Sequence, residues 1–276
     1  MNGRVIITGA TGAMGEAATR ALAREGRSVL MACRNLRKAE TVRNSILSDL
    51  PEADISIGQI DLTSLESVQT FVNRLGPEPI SALFNNAGTI SRGYSLTGDG
   101  LENTFSVNYF APVLLTRLLL PRMDHDAMVV NMVSLTCRYV KVTDRSLQPE
   151  LKDFSQLGTY ARSKLALLRF SQELARRHPD IKVNLADPGI VDSSMIDLGH
   201  WFDPLADALF RPFCKSPVEG VQPALAALHS SERNRYYVGK RCIPIPQRYF
   251  DPEADSLLWA ETDAIFSKKS VSLDTC

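Results

Sequence analysis

Short runs of β-branched and apolar residues alternate along the chain with longer stretches whose apolar positions recur every three or four residues. RVIITG (4–9), SVLMACR (28–34), DISIGQID (54–61), SALFNNAG (81–88), MVVNMVS (128–134) and KVNLADPG (182–189) read as strands. Several are apolar on consecutive residues, the pattern of a strand covered on both faces. Between them AMGEAATRALARE, LRKAETVRNSILSDL, SLESVQTFVNRL, LENTFSVNYFAPVLLTRLLL and the stretch after Thr159 read as helices. Thr63 with Glu66, and Ser216-Pro217 with Glu219, have the form of capping boxes. Asp251-Pro252-Glu253 opens a last helix, EADSLLWAETDAIF, and residues 250–276 read as that helix and a polar tail. Such alternation predicts parallel strands with right-handed crossovers: an α/β, doubly wound parallel sheet of about seven strands flanked by helices. With no internal repeat and no low-complexity linker, residues 1–276 read as one domain.

Composition narrows the function classes. The chain has 276 residues, 44% of them hydrophobic, so a full core is available. Lys+Arg and Asp+Glu number 31 each, which leaves no basic field for nucleic acid; RNLRK and SKKS are too short to make one. No stretch approaches the roughly 20 apolar residues of a membrane span. The N-terminus enters an apolar run at once, so no leader is expected there. Cys33, Cys137, Cys214, Cys242 and Cys276 stand singly, without a CxxC pair, which argues for reduced thiols in a cytoplasm and against a metal site. His125, His178, His200 and His229 have no nucleophile-elbow sequence beside them.

The first strand runs into TGATGAMGEAATRALA. Glycines where a strand turns into a helix let the backbone approach a pyrophosphate, and the helix N-terminus offers free N–H groups. Thr8, Gly9, Thr11, Gly12, Ala13, Met14 and Gly15 are therefore candidate cofactor residues in a Rossmann-type βαβ unit. A site for NAD places a carboxylate at the end of the second strand. Here Cys33 holds that place and Arg34 follows. With no anion to repel a 2′-phosphate and a guanidinium to bind it, NADP(H) is expected over NAD(H). Asp61, next to Leu62 at the end of the third strand, reads either as an acceptor for an adenine amino group or as a loop residue ahead of Thr63.

With these residues in hand the chain resembles the short-chain dehydrogenase/reductase family, and within it the retinol-dehydrogenase-like branch. TGATGAMG resembles the family's glycine signature, with Ala13 where a glycine is usual, and NNAG (85–88) its fourth-strand signature. VNYFAP supplies Asn108, VVNMVSL places Ser134 after the fifth strand, YARSK gives Tyr160 and Lys164, and DPGIVDS resembles the Pro-Gly turn after the sixth. MACRNLRKAE, KSPVEGVQ and LLWAETDAIF point to the narrower branch. The resemblance implies that Asn86, Ala87, Gly88, Pro188, Gly189, Val191 and Ser193 contact the cofactor, with Tyr160 and Lys164. It further implies that Asn108 positions a water linking Lys164 to solvent, and that the protein forms a homodimer or homotetramer.

Tyr160 and Lys164 lie four residues apart, one helical turn, so they leave one face of a helix. A free tyrosine, with a pKa of about 10, is a weak acid–base catalyst near neutrality, and a neighbouring ammonium is expected to lower it. Together with this pair, the resemblance implies a catalytic set of Asn108, Ser134, Tyr160 and Lys164, with Tyr160 expected to exchange the proton and Ser134 to hold the substrate oxygen. IVDSSMIDLGHWFDPLADALFRPFCKSP follows the sixth strand and is rich in large apolar residues, including Met195, Ile196, Leu198, Trp201, Phe202, Leu205, Leu209, Phe210 and Phe213. Residues 190–216 are expected to form a lid over a lipophilic steroid, retinoid or xenobiotic carbonyl, or an amphipathic helix packed on the core or a partner. Reduction of an activated C=C bond, and a catalytically idle NADP(H)-binding regulator, are the alternatives.

Overall fold

A computed structural model of the chain describes residues 3–140, 147–191 and 214–271. It begins with β1 (Arg4–Thr8), α1 (Ala13–Arg24), β2 (Val29–Cys33), α2 (Leu36–Asp49), β3 (Ile55–Gln59), α3 (Leu65–Asn73) and β4 (Ile80–Asn85). A short α4 (Asn103–Phe105) passes through a π-helical turn, Ser106–Phe110, into α5 (Ala111–Leu119). There follow β5 (Met123–Met132), α6 (Gln156–Arg177), β6 (Lys182–Asp187), α7 (Pro217–Leu228), β7 (Arg235–Val238), β8 (Arg241–Pro244) and α8 (Pro252–Lys268).

The strands form one sheet in the order β3-β2-β1-β4-β5-β6-β7-β8. All neighbours run parallel except β7 and β8. The chain leaves β1 toward β3 and returns to the other side at β4, so the carboxyl ends of β1 and β4 flank a topological switch point, where ligands bind in open α/β sheets.

Strand alternation sorts the core into two layers. Ile6, Leu30, Leu83, Val129 and Val183 point to the side of α3, α5, α6 and α8; Val5, Ile7, Met31, Phe84 and Val130 point to the side of α1, α2 and α7. α8 seals the first layer. Its Trp259 stacks on Phe170 of α6 with ring centroids 5.3 Å apart, and its Thr262 hydroxyl meets Tyr109 Oη at 2.6 Å. Asp263 pairs with Arg117 of α5, and Asp255 with Arg169 of α6 at 2.9 Å.

The sheet has eight strands rather than about seven, and it is not wholly parallel. RYYV and RCIP are four residues each, joined through Gly239 at φ +57°, too short to show a period of their own. The expected box at Thr63 and Glu66 is also replaced. Ser64 caps α3 by accepting from Ser67 N at 3.1 Å, while Thr63 turns back to Asp61, donating N–H at 2.9 Å and Oγ1 at 2.7 Å to its Oδ1. Ser216 and Glu219 do form a capping box on α7, and Asp251 caps α8. No helix of the described residues is long and apolar enough to cross a membrane.

Candidate active site

The groove at the switch point is shaped by what its backbone leaves out. Gly9 sits at φ +63°, a conformation that side chains other than glycine's rarely adopt, and its carbonyl accepts from Gly12 N at 3.0 Å. A methyl on Gly15 would lie 2.7 Å from Ala10 Cα and 2.9 Å from Asn86 Nδ2, so only glycine lets α1 start this close to β1. Gly12, at the N-cap of α1, has no side-chain cap, and the first-turn N–H groups face the groove with the positive end of the helix dipole behind them. Thr11, Gly12, Ala13, Met14 and Gly15 line it on one side and Asn86, Ala87 and Gly88 on the other. Asn86 Nδ2 donates to Thr8 O at 2.9 Å, and the Thr8 hydroxyl accepts from Asn86 N and Ala87 N, both at 3.1 Å. Asn86 Oδ1 is buried without a partner.

The groove continues past Cys33, Arg34, Asp61 and Leu62. Arg34 and Lys38 are both exposed along this stretch, and the first turn of α2 carries no acidic residue. Asp61 stands here with Oδ1 already engaged by Thr63. Lys38, in the first turn of α2, is absent from the expected set although it lines the same stretch of groove as Arg34.

At the other end an apolar cavity of about 150 Å³ is lined by Met14, Ile90, Met132, Val133, Ile190 and Val191, with Tyr160 and Lys164 on its wall. Pro188 and Gly189 border it, and Gly189 at φ +75° turns the chain after β6, its N–H donated to Asp187 Oδ1 at 2.9 Å. Asp187 Oδ2 accepts from Tyr236 Oη at 2.7 Å, so this buried carboxylate fixes the turn from both oxygens. Ser193 and most of the expected lid, 192–213, lie outside the described residues.

Tyr160 and Lys164 share one face of α6. Lys164 is 2% exposed, and its Nζ donates to the Met132 carbonyl at 2.9 Å. A methyl on Gly88 would lie 3.3 Å from that Nζ and 3.4 Å from Asn108 Oδ1, tighter than most side-chain contacts, so both groups flank the bare Gly88. Asn108 belongs to the π-helical turn. Its Oδ1 accepts from Thr89 N at 2.8 Å, and its Nδ2 donates to Thr89 O at 2.9 Å and Ser163 Oγ at 3.0 Å. Both amide hydrogens are therefore spent, leaving one Oδ1 lone pair for a water.

Ser134 stands near enough to Tyr160 to favour its ionised form. Burial pushes the Tyr160 phenol up to about 12, outweighing the influence of Ser134. The Lys164 ammonium is itself held down to about 8 by burial. The expected depression of the tyrosine by its lysine is thus not what this geometry gives: desolvation wins, and Lys164 spends a donor on Met132.

The profile of the short chain dehydrogenases matches residues 4–198. The chain is a member of that family. As a short-chain dehydrogenase/reductase it falls in the retinol-dehydrogenase-like branch. It is 36% identical over 227 residues to retinol dehydrogenase 12 of Mus musculus, a match covering 80% of this chain and 71% of that one. It is 31% identical over 287 residues to the WW domain-containing oxidoreductase of Danio rerio, covering 96% and 69%. A crystal structure of an uncharacterized protein from Mycobacterium paratuberculosis superposes with a TM-score of 0.78 at 27% identity, covering 99% of this chain and 95% of that one. The family makes this chain an oxidoreductase of the alcohol/carbonyl type.

Proposed function

We propose that this short-chain dehydrogenase is NADP(H)-dependent and interconverts a lipophilic alcohol with its ketone or aldehyde, of steroid, retinoid or xenobiotic type. One observation carries the reading: Tyr160 and Lys164 stand together on the wall of an apolar cavity beside a glycine-lined groove, with Ser134 near enough to Tyr160 to favour its ionised form. The residues present fit a dinucleotide. Gly15 and the uncapped start of α1 receive a pyrophosphate, the orphaned Asn86 Oδ1 offers an acceptor, and Arg34 with Lys38 supplies positive charge where a 2′-phosphate belongs. When bound, the nicotinamide supplies or accepts the hydride.

The remaining chemistry falls to the chain's own residues. At neutral pH a phenol held near 12 carries its proton, so Tyr160 is poised as the general acid in carbonyl reduction and takes the proton back in oxidation. Ser134 donates to the substrate oxygen as negative charge grows there. Lys164 keeps two N–H groups beyond the one given to Met132, for the ribose hydroxyls and for Tyr160. With its own value near 8, Lys164 can also pass a proton onward near neutrality, toward a water on Asn108 Oδ1. Most of the cavity lining belongs to the expected cofactor contacts, so the apolar wall left beside the nicotinamide, with Ile90, Val133 and Ile190, would favour a greasy substrate by burial rather than by hydrogen bonds.

A screen of NADPH oxidation against retinal, steroids, quinones and aliphatic ketones tests this, with Tyr160→Phe as the control. The variant is expected to lose about 10²–10⁴-fold in kcat while still binding NADPH. Parental turnover by the variant overturns the mechanism. Silence of the parent across the panel, with NADPH bound, points instead to an idle binding protein.

A further inference from the structure

Ser134 opens a short 3₁₀ turn, Leu135–Tyr139, and its hydroxyl is held from two sides by one residue. Thr136 N donates to Ser134 Oγ at 3.2 Å, and Thr136 Oγ1 donates to the same oxygen at 3.0 Å. A serine hydroxyl has one hydrogen and two lone pairs. With both lone pairs engaged by Thr136, the single Ser134 hydrogen is left free to donate, and the Tyr160 phenol, whose ionised form Ser134 favours, is the neighbour among the described residues that it serves.

Resting on the catalytic roles proposed above for Ser134 and Tyr160, we propose that Thr136 is a positioning residue, which makes Ser134 a committed donor toward Tyr160 and the substrate oxygen. The backbone N–H alone would leave Ser134 free to rotate and to accept from the phenol. The Thr136 hydroxyl removes that alternative. Hydrogen bonds in series also polarise one another, so a Ser134 that accepts twice donates more strongly. The direction matters because a donor, unlike an acceptor, stabilises whichever oxygen carries the negative charge, the substrate oxyanion at one stage of the reaction and the Tyr160 phenolate at another. Thr136 is half-buried and touches neither the groove nor the cavity lining, so it acts only through Ser134.

The test compares Thr136→Val, which keeps the shape and the backbone N–H, with Thr136→Ala and with Thr136→Ser, which keeps the hydroxyl. Two readouts are followed: the Tyr160 titration midpoint, by NMR of ¹³Cζ-tyrosine protein in the presence of NADP⁺ with Tyr160→Phe for assignment, and kcat for retinal reduction. Thr136→Val and Thr136→Ala are expected to raise the midpoint by about half a unit to one unit and to lower kcat by about 3- to 10-fold. Thr136→Ser is expected to restore both. An unchanged midpoint in Thr136→Val, while Ser134→Ala raises it, overturns the role of Thr136 and leaves that of Ser134 standing. An unchanged midpoint and kcat in Ser134→Ala overturn the catalytic roles themselves, and the inference with them.

Discussion

Lys164 reaches past Tyr160 rather than resting on it: its Nζ lies 6.0 Å from the centre of the tyrosine ring and hydrogen-bonds to the Met132 carbonyl behind it at 2.9 Å. The ammonium is buried without a carboxylate partner among the described residues, and burial holds it down to about 8 from an ordinary 10.5. A lysine whose folded value is depressed costs stability while charged; the cost is present below about pH 8 and is relieved as pH rises to 10.5. The cofactor-free protein is therefore expected to gain about 3 kcal/mol from this group across that window. Tyr160 opposes it from pH 10 upward, because the native phenol keeps its proton to about 12 while the unfolded one does not. Urea unfolding at pH 7 and pH 10 should show the gain in the parent and its absence in Lys164→Met. Equal slopes in the two proteins would mean that Lys164 is solvated in the folded state.

Arg34 and Lys38 both line the stretch of groove that runs past Cys33 and Asp61, with no acidic residue in the first turn of α2. Arg34→Ala is expected to weaken NADPH binding by roughly 10- to 100-fold, the worth of a charge-assisted hydrogen bond, and NADH binding by less than about threefold. Lys38→Ala should move the same pair of constants in the same direction by less. Fluorescence titration of both cofactors decides it. A parallel loss for NADPH and NADH would place neither side chain on a 2′-phosphate.

Gly15 is the residue with least room to change. Its added methyl would meet the Gly9 carbonyl, Ala10 Cα and Asn86 Nδ2 together. Gly15→Ala should lower stability by about 1–3 kcal/mol and abolish measurable NADPH binding, because α1 must move away from β1 to admit the methyl. The Gly26→Ala control tests a different cost, since an added methyl there has open space but φ is +71°. That variant should lose stability and keep cofactor affinity.

Arg169 and Asp255 form a buried pair between α6 and α8, with side chains 11% and 4% exposed. Desolvation raises the Asp255 carboxyl to about 6 in spite of its partner. Removing one partner alone leaves a buried charge, so Arg169→Met should cost about 3–5 kcal/mol, whereas Arg169→Met with Asp255→Leu should recover most of it. Chemical denaturation of the two variants measures the difference. A double variant no better than the single would show that the pair is worth keeping for more than charge balance.

How much of this was legible in the sequence follows from what each signal depends on. The first six strands and the phosphate loop depend on local pattern, and IIT, MAC and LFN sit in the sheet where the period puts them. β7 and β8 owe their place to pairing with β6 and with each other, which no four-residue run can announce. Asn108 was found by its neighbours VNYF, but the π-helical turn that carries it lies in a stretch apolar enough to pass for one continuous helix. Thr63 and Glu66 have the right spacing for a cap, and the competing acceptor Asp61 lies upstream of that spacing. The expected lowering of Tyr160 runs opposite to the direction that burial imposes, because spacing reports the neighbour and not the burial. Sequence shows an ammonium one turn away; only the fold shows that water has been taken from both groups.

The closure of α8 over α5 and α6 has a consequence for how the protein is made. Tyr109, Phe110 and Phe170 present aromatic surface that is covered only when Thr262, Phe266 and Trp259 arrive from the far end of the sequence. A nascent chain on the ribosome, with α1 through α7 already outside the tunnel, still exposes that greasy flank on the very rod that bears Tyr160 and Lys164. During that interval the half-made molecule is at its stickiest, and chaperone dependence should fall away only once α8 has cleared the tunnel and packed.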